Sequence, residues 1–342
     1  MKPGPSHRLR LWLDGRRGRS NSMLPTGRAP GRPSPDERRR HDGRTGQLVD
    51  GALLAALDRL SLAVDAELTG GLMGEHAARR RTAGIEFTDH RPYSPGDDVG
   101  RVDWNAYARL GSLHVRQSQA EHDTTLYILV DASPSMQYGT PCKFFTARRL
   151  AAALGYVALA HLDSVVLAAP GGRFAHSRAS QPFRGRTQAA ELFSCLHELH
   201  TGEAAPLDAV LTGWAASLLP GAGTGRVAVI ISDLLLDAYR QGVDALVAAG
   251  VSVIMLHVLS PQELRPPERG DLELVDSETG RRLPVHLNEN LLAAYEQRLL
   301  KWLAGVEQWC RDRGTSYVLA SSDADTTRVV LNVLRRIGVA MR

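Results

Sequence analysis

The chain has 342 residues, 43% of them hydrophobic, and carries a formal net charge of +4. That length exceeds one minimal domain and suffices for a core of about 200 residues with an extension. No apolar run of about 18 residues occurs, so we expect no transmembrane segment, and residues 1–20 lack the apolar stretch of a secretory signal. Three scattered cysteines match neither zinc spacing nor a disulfide framework, which favours a reducing, cytoplasmic location: Cys142, Cys195 and Cys310.

The positive charge is concentrated in the N-terminal segment. Residues 1–45 hold 12 Lys/Arg and 4 Asp/Glu, a net of +8, so +4 minus +8 leaves −4 for the rest. A basic body that grips nucleic acid is not indicated, and we expect no specific nucleic-acid partner. Residues 1–46 lack apolar periodicity and are predicted to be a disordered basic tail. Contact of the tail with RNA or anionic lipid, or a translation start at Met23 or later, are alternatives.

Residues 47–122 are predicted to form a helix followed by a small β-rich extension. Leucines recur at helical spacing from about Leu48 onward. Short β-like pieces at 84–87 and 113–117 flank the turn Pro95-Gly96-Asp97-Asp98. Charged residues of this stretch are interpreted as an ion-pair network that holds the extension, or alternatively as a docking surface: Arg91, Asp97, Asp98, Arg101 and Asp103.

Residues 123–342 alternate between predicted strands and helices. The apolar runs 125–130 and 227–231 are typical of central parallel strands that are covered on both faces. A hairpin near 272–286 interrupts the alternation, and a long helix capped by Asn288 follows it. The alternation predicts an α/β fold with a mostly parallel, Rossmann-like sheet and helices on both faces.

Polar residues follow two of these buried strands directly. Asp131, Ser133 and Ser135 alternate in the loop after the first strand, and Asp233 follows the strand 227–231. Ligands of open α/β sheets bind at the carboxyl ends of the strands, where these two positions are expected to be neighbours. One carboxylate with two hydroxyls suits a hard cation such as Mg²⁺, which usually keeps several waters. The residues therefore predict a metal site, with a structural Asx turn as the alternative.

The motif Asp131-x-Ser133-x-Ser135-Met136 resembles the metal-ion-dependent adhesion site of von Willebrand A domains. Blocks upstream of it are similar to the bacterial "domain of unknown function" family number fifty-eight, whose members carry a related A-like domain: residues 84–87, 91–98, 102–104 and 108–109. The resemblance spans residues 48–338 and implies a von Willebrand A-like fold. It also implies a cytoplasmic or membrane-associated adaptor or chaperone-like protein, often encoded beside a MoxR-type AAA+ ATPase.

Adhesion sites of this type usually add a threonine from a later loop, and the stretch 202–208 contains none. Thr201 and Thr187 are the remaining candidates.

We expect a metal-dependent protein-binding adaptor rather than an enzyme. Asp131, Ser133 and Ser135 would contact Mg²⁺, Mn²⁺ or Ca²⁺, Asp233 would act through water, and an acidic side chain of a MoxR-type ATPase or another protein would fill the open position. A scaffold with a degenerate site and a metal-dependent hydrolase of phosphate esters are the alternatives. His197 and His200 are interpreted as a solvated helix face, and the glycine-rich stretch 221–225 as a connector.

Overall fold

The computed structural model describes residues 15–17, 48–70, 90–92, 107–109, 111–116, 125–161, 164–169, 179–202, 207–217, 225–235, 239–267, 269–277 and 280–340. The chain divides into two compact units, one of residues 1–60 and 124–342 and the other of residues 61–123. Ten strands are present in these ranges: β1 (Gly15–Arg17), β2 (His90–Pro92), β3 (His114–Arg116), β4 (Thr125–Val130), β5 (Ser164–Ala168), β6 (Arg226–Ser232), β7 (Ser252–Leu259), β8 (Gly270–Val275), β9 (Arg282–Leu287) and β10 (Ser316–Ser321).

Eight α-helices lie in the described ranges. They are α1 (Gly51–Gly70), α2 (Lys143–His161), α3 (Ala189–Glu198), α4 (Leu207–Ser217), α5 (Arg240–Ala248), α6 (Pro261–Leu264), α7 (Glu289–Asp312) and α8 (Thr326–Ala340). Within these ranges, no helix is long and apolar enough to cross a lipid bilayer.

The larger unit is built on a five-stranded sheet in the order β10-β7-β6-β4-β5, and every pairing in it is parallel. Successive residues of its central strands belong to different apolar clusters: Val229 and Ile231 lie in one, Ala228 and Ile230 in the other. Helices α1, α2, α3 and α8 contribute to the first cluster, and α4, α5 and α7 to the second. The prediction of a Rossmann-like parallel sheet with helices on both faces is therefore confirmed.

The first half of α1 belongs to the α/β unit, whereas the sequence grouped this helix with the extension. Leu53, Leu57 and Leu60 are buried in the same apolar cluster as α2. Two polar contacts reinforce this packing: Tyr156 donates a hydrogen bond to Asp58 Oδ1 at 2.8 Å, and Arg149 pairs with Asp50. Burial of these leucines decides the grouping, which periodicity along the chain does not reveal.

The predicted hairpin is present as β8 and β9, which pair antiparallel around Gly280, whose φ is +69°. Strand β1 pairs antiparallel with β8. This strand lies within residues 1–46, all of which were predicted to be a disordered tail, and disorder stays a prediction for the rest of that segment.

The smaller unit contains the antiparallel pair β2–β3, and β3 lies within the predicted strand 113–117. The predicted strand 84–87, the turn 95–98 and the side chains of the proposed ion-pair network fall outside the described residues.

Candidate metal centre

Asp131 and Asp233 lie next to each other at the carboxyl edge of the sheet. Strands β4 and β6 are parallel neighbours, with Val130 opposite Ile231. Each aspartate is the residue that directly follows its strand. The Asp131 amide donates to the Ile231 carbonyl at 2.9 Å, which extends the ladder into the loop. Both aspartates are buried. The predicted proximity of the two strand ends follows directly from this pairing.

The loop after β4 brings its hydroxyl groups together. Asp131 Oδ1 accepts a hydrogen bond from the Ser133 amide at 2.9 Å, which closes an Asx turn. A short 3₁₀ turn over Pro134–Gln137 follows, and it places Ser133 Oγ and Ser135 Oγ 3.0 Å apart. The side chain of Ser135 also lies close enough to the Asp233 carboxylate to help lower its pKa. The four residues expected to form the site are thus gathered in one place.

Ser232, the last residue of β6, also binds the Asp131 carboxylate. Its hydroxyl donates to Asp131 Oδ2 at 2.5 Å and accepts from the Leu234 amide at 3.0 Å. Leu234 has a φ of +50°, in the left-handed region that side chains rarely adopt. Ser232 was not among the predicted site residues, because its role depends on a contact with Asp131, which follows the neighbouring strand.

Lys143 also lies at this candidate site, and no pattern in the sequence predicted it there. Its side chain is fully buried, and Nζ lies 2.8 Å from Asp233 Oδ2. The same ammonium contacts Glu263 Oε1, so that one cation bridges two buried carboxylates. Lys143 is the first residue of α2, where a lysine in the sequence is easily mistaken for a solvated one.

Glu263 is held beside Lys143 by the start of α6. Ser260 and Glu263 form a capping box, in which Glu263 Oε2 accepts from the Ser260 amide at 2.6 Å and from its hydroxyl at 2.9 Å. This segment packs closely against the loop before α2. A Cβ atom on Gly139 would lie only 2.3 Å from Ser260 Cβ, so the contact leaves no room for a side chain there. Gly139 has a φ of +99°, so both the space and the backbone conformation require glycine.

His257 supports Asp233 from the neighbouring strand β7. Its Nε2 lies 2.9 Å from the Asp233 carbonyl oxygen, which only accepts, so Nε2 carries the hydrogen. Nδ1 then accepts from the Tyr317 hydroxyl at 2.7 Å. Burial lowers the pKa of His257 to about 4, outweighing the attraction of Asp233, and the ring is neutral at pH 7. In the sequence, His257 is a polar residue within the apolar run of β7, and that interruption could have marked it as a candidate site residue.

The two aspartates differ in their proton affinity. Burial raises the pKa of Asp131, and the negative charge of Asp233 raises it further. Burial also acts to raise the pKa of Asp233, but the Lys143 ammonium outweighs it and holds that pKa below its usual value. The pKa of Lys143 is raised, because its two carboxylate partners overcome the effect of burial. Asp233 and Lys143 therefore form an ion pair, whereas no lysine or arginine among the described residues pairs with Asp131.

The donor set is suited to a hard cation. With all groups ionised, three carboxylates and one ammonium give the buried cluster a formal charge of −2: Asp131, Asp233, Glu263 and Lys143. A divalent cation would neutralise that charge, and the converging carboxylate and hydroxyl oxygens are ligands of the kind that Mg²⁺ accepts. No group of three or more His, Cys, Asp or Glu in the described part of the chain has a metal-holding arrangement. A cation here would consequently depend on hydroxyl oxygens and water.

The model of the family "Protein of unknown function DUF58" matches residues 89–301. The chain belongs to this family. Uncharacterized proteins of Mycobacterium bovis and of two Mycobacterium tuberculosis strains are 32% identical to it over 238 residues, which is 69% of this chain and 74% of each relative.

Solved structures with a similar backbone include BatB from Bacteroides thetaiotaomicron, at 17% identity, and an aerotolerance-related membrane protein from Bacteroides fragilis, at 18%. Each match covers 63% of this chain and 99% of the other, with a TM-score of 0.39. The pilus adhesin SpaC of Lactobacillus rhamnosus GG is 11% identical, over 65% of this chain and 31% of that one, with the same TM-score. Similarities at this level support no conclusion about the activity of this DUF58 member.

Of the two candidate threonines in this DUF58 chain, Thr201 lies beside the loop after β4, residues 131–137. The Gly202 amide donates to the Ala132 carbonyl at 3.1 Å, and the Gln137 side chain donates to the Thr201 hydroxyl. Thr187 lies in the short turn that precedes α3. The two contacts therefore single out Thr201 as the hydroxyl that follows α3 and reaches the loop.

Proposed function

We propose that this protein is a metal-dependent protein-binding adaptor whose Asp131 loop holds a divalent cation, most suitably Mg²⁺. The observation that carries the proposal is the placement of the buried Asp131 and Asp233 at neighbouring strand ends, with the hydroxyls of Ser133 and Ser135 3.0 Å apart in the loop after β4. Buried carboxylates that lie close together are stabilised by a proton or by a cation, and a bound cation would keep Asp131 ionised. Mn²⁺ and Ca²⁺ prefer the same kind of oxygen ligand and are the alternatives.

In this proposal, Asp131, Ser133 and Ser135 contact the cation directly. Thr201 is the further hydroxyl that the neighbouring loop supplies. Asp233 acts through water, because Lys143 occupies its Oδ2 and the Leu235 amide lies 3.3 Å from its Oδ1. Few charges on the ligands leave the bound cation electrophilic, so that a carboxylate from another protein is a natural ligand for an open position.

Binding is favoured over hydrolysis by the state of the groups around the loop. His257 is neutral, is buried, and has both ring nitrogens hydrogen bonded, so it is not available as a base. Lys143 is held as an ammonium by two carboxylates and is not a nucleophile. We therefore propose a von Willebrand A-like adaptor role, and the partner suggested by the family resemblance is a MoxR-type AAA+ ATPase.

The metal-binding part of the proposal is tested by Asp131→Ala. We expect Mg²⁺ at about ten times its Kd to raise the stability of the wild type by about 1.4 kcal/mol, and to have no such effect on the variant. The fold should survive, because the substitution also removes the repulsion between Asp131 and Asp233. Differential scanning fluorimetry in Mg²⁺ and in EDTA makes the measurement.

Asp271→Ala removes an exposed carboxylate from the β8–β9 hairpin and is the control, for which the Mg²⁺ effect should match that of the wild type. A wild type that is not stabilised by Mg²⁺, Mn²⁺ or Ca²⁺ would favour the scaffold interpretation instead.

The partner part of the proposal is tested by binding to the ATPase with and without chelator. We expect a MoxR-type ATPase to bind in Mg²⁺ and to be released by EDTA, because its acidic side chain would be a ligand of the cation. Asp131→Ala should weaken binding more than Asp233→Ala, since only Asp131 would contact the cation directly. Surface plasmon resonance gives both affinities, and binding that is equal in EDTA would place the interface elsewhere on the chain.

A further inference from the structure

The buried ammonium of Lys143 stands at an electrostatically unfavourable position. It is the first residue of α2, and the amino end of a helix carries partial positive charge that disfavours cations. A fully buried ammonium also loses its hydration. The two carboxylates that contact it, Asp233 and Glu263, are what stabilise the charge there.

The ammonium and the proposed metal ion would share Asp233. Asp233 Oδ2 is 2.8 Å from Nζ of Lys143, and the same carboxylate lies near Ser135 in the loop proposed to hold the metal, the metal loop (residues 131–137). A positive charge this close opposes the entry of a second cation, and it also holds the carboxylate away from direct coordination. Of the three carboxylates in this described cluster, Asp131 is then the one left for the cation.

We propose that the Lys143 ammonium is an internal cation that sets the metal affinity of the Asp131 loop. The inference rests on the metal-dependent function proposed above and deepens it. By restraining Asp233, Lys143 keeps the affinity of the isolated protein low, so that the carboxylate of a bound partner contributes the missing ligand charge. Metal retention then depends on the partner, which makes Lys143 a positioning residue for regulated binding.

Glu263 adjusts the strength of this restraint. Its carboxylate is fixed by Ser260 at the start of α6 and touches the ammonium from the side that does not involve Asp233. It therefore offsets part of the positive charge of Lys143. Removing the Glu263 carboxylate alone should strengthen the effect of the Lys143 charge on the metal loop. Removing the charges of both Lys143 and Glu263 should abolish that effect.

Two variants separate these effects with opposite expected signs. Glu263→Gln changes the formal charge of the cluster from −2 to −1, and we expect it to weaken metal binding about tenfold. The pair Lys143→Met with Glu263→Gln keeps the formal charge at −2 but frees Asp233, and we expect it to tighten binding at least about tenfold. Isothermal titration calorimetry with Mg²⁺ and electron paramagnetic resonance of Mn²⁺ measure these affinities in the full chain.

The outcomes distinguish this inference from the proposed function. If the wild type binds the metal and the double variant binds it more tightly, both the proposed function and the role of Lys143 are supported. If only the double variant binds the metal, only the role of Lys143 is supported. Equal affinity of the wild type and the double variant overturns the role of Lys143 but leaves the metal site standing. Absence of binding in every variant overturns both.

A purely structural role of Lys143 predicts lower melting temperatures without a change in metal affinity. Far-ultraviolet circular dichroism and gel filtration check that each variant is folded. If the double variant is unfolded, Lys143→Gln with Glu263→Gln replaces it, because the amides retain hydrogen bonding. Glu263→Gln by itself still decides the matter, since unchanged or tighter metal binding in that variant contradicts the inference.

Discussion

Replacing Lys143 with methionine is expected to lower the free energy of unfolding by about 3–5 kcal/mol at pH 7. Methionine has a similar length, so that the substitution removes the charge with little change in packing. The carboxylates of Asp233 and Glu263 would then remain buried without their cation, and leaving buried charges unpaired is strongly destabilising. Urea unfolding followed by circular dichroism, in EDTA, measures the loss.

Lys301→Met is the matched control, because Lys301 is exposed on α7, and we expect its free energy of unfolding to change by less than about 0.5 kcal/mol. Adding Glu263→Gln to Lys143→Met should recover part of the lost stability, since one unpaired carboxylate is neutralised. A loss below about 1 kcal/mol for Lys143→Met would mean that the ammonium does not hold the two carboxylates.

The second large effect is a loss of stability in acid that depends on His257. Burial lowers its folded-state pKa to about 4 from the ordinary 6.5, so the unfolded chain takes up the proton first as the pH falls. The contribution of His257 is therefore complete above pH 6.5 and is lost between pH 6.5 and 4. The shift corresponds to about 3 kcal/mol at most. Unfolding free energies measured between pH 7 and pH 4 test this.

Other buried groups titrate in the same range, so a variant is needed to isolate His257. Burial raises the pKa values of Asp131 and Glu263, and their protonation in the folded state acts in the opposite direction on acidification. His257→Gln keeps an N–H donor but does not titrate. Its free energy of unfolding should therefore fall less between pH 7 and pH 4 than that of the wild type, and the difference is the contribution of His257. Identical profiles for wild type and His257→Gln would contradict the prediction.

Lys143 and His257 act on different atoms of the same residue. Lys143 contacts the carboxylate of Asp233, whereas His257 donates a hydrogen bond to its backbone carbonyl. The side chain and the main chain of Asp233 are thus held independently, from α2 and from β7. Under the proposed function, this double restraint favours an Asp233 that acts through water rather than as a direct ligand.

The central strands and the main candidate residues were predictable from the sequence alone. The runs that form β4 and β6 are continuously apolar because both faces of these strands are covered, and that pattern is local. Asp131 and Asp233 follow the strands directly, and parallel neighbours end at the same edge of a sheet, so their proximity follows from topology. The alternation of Asp131, Ser133 and Ser135 is likewise visible within a few residues.

Only the tertiary structure brought Lys143, Glu263 and His257 to the site. Glu263 is 120 residues from Lys143 and meets it because the start of α6 docks on the loop before α2. Thr201 reaches the metal loop through a contact between Gly202 and Ala132, and no local pattern encodes such a contact. A charged side chain looks the same in a sequence whether it is solvated or buried beside an opposite charge. Which of these it becomes depends on distant segments that meet only when the chain is folded.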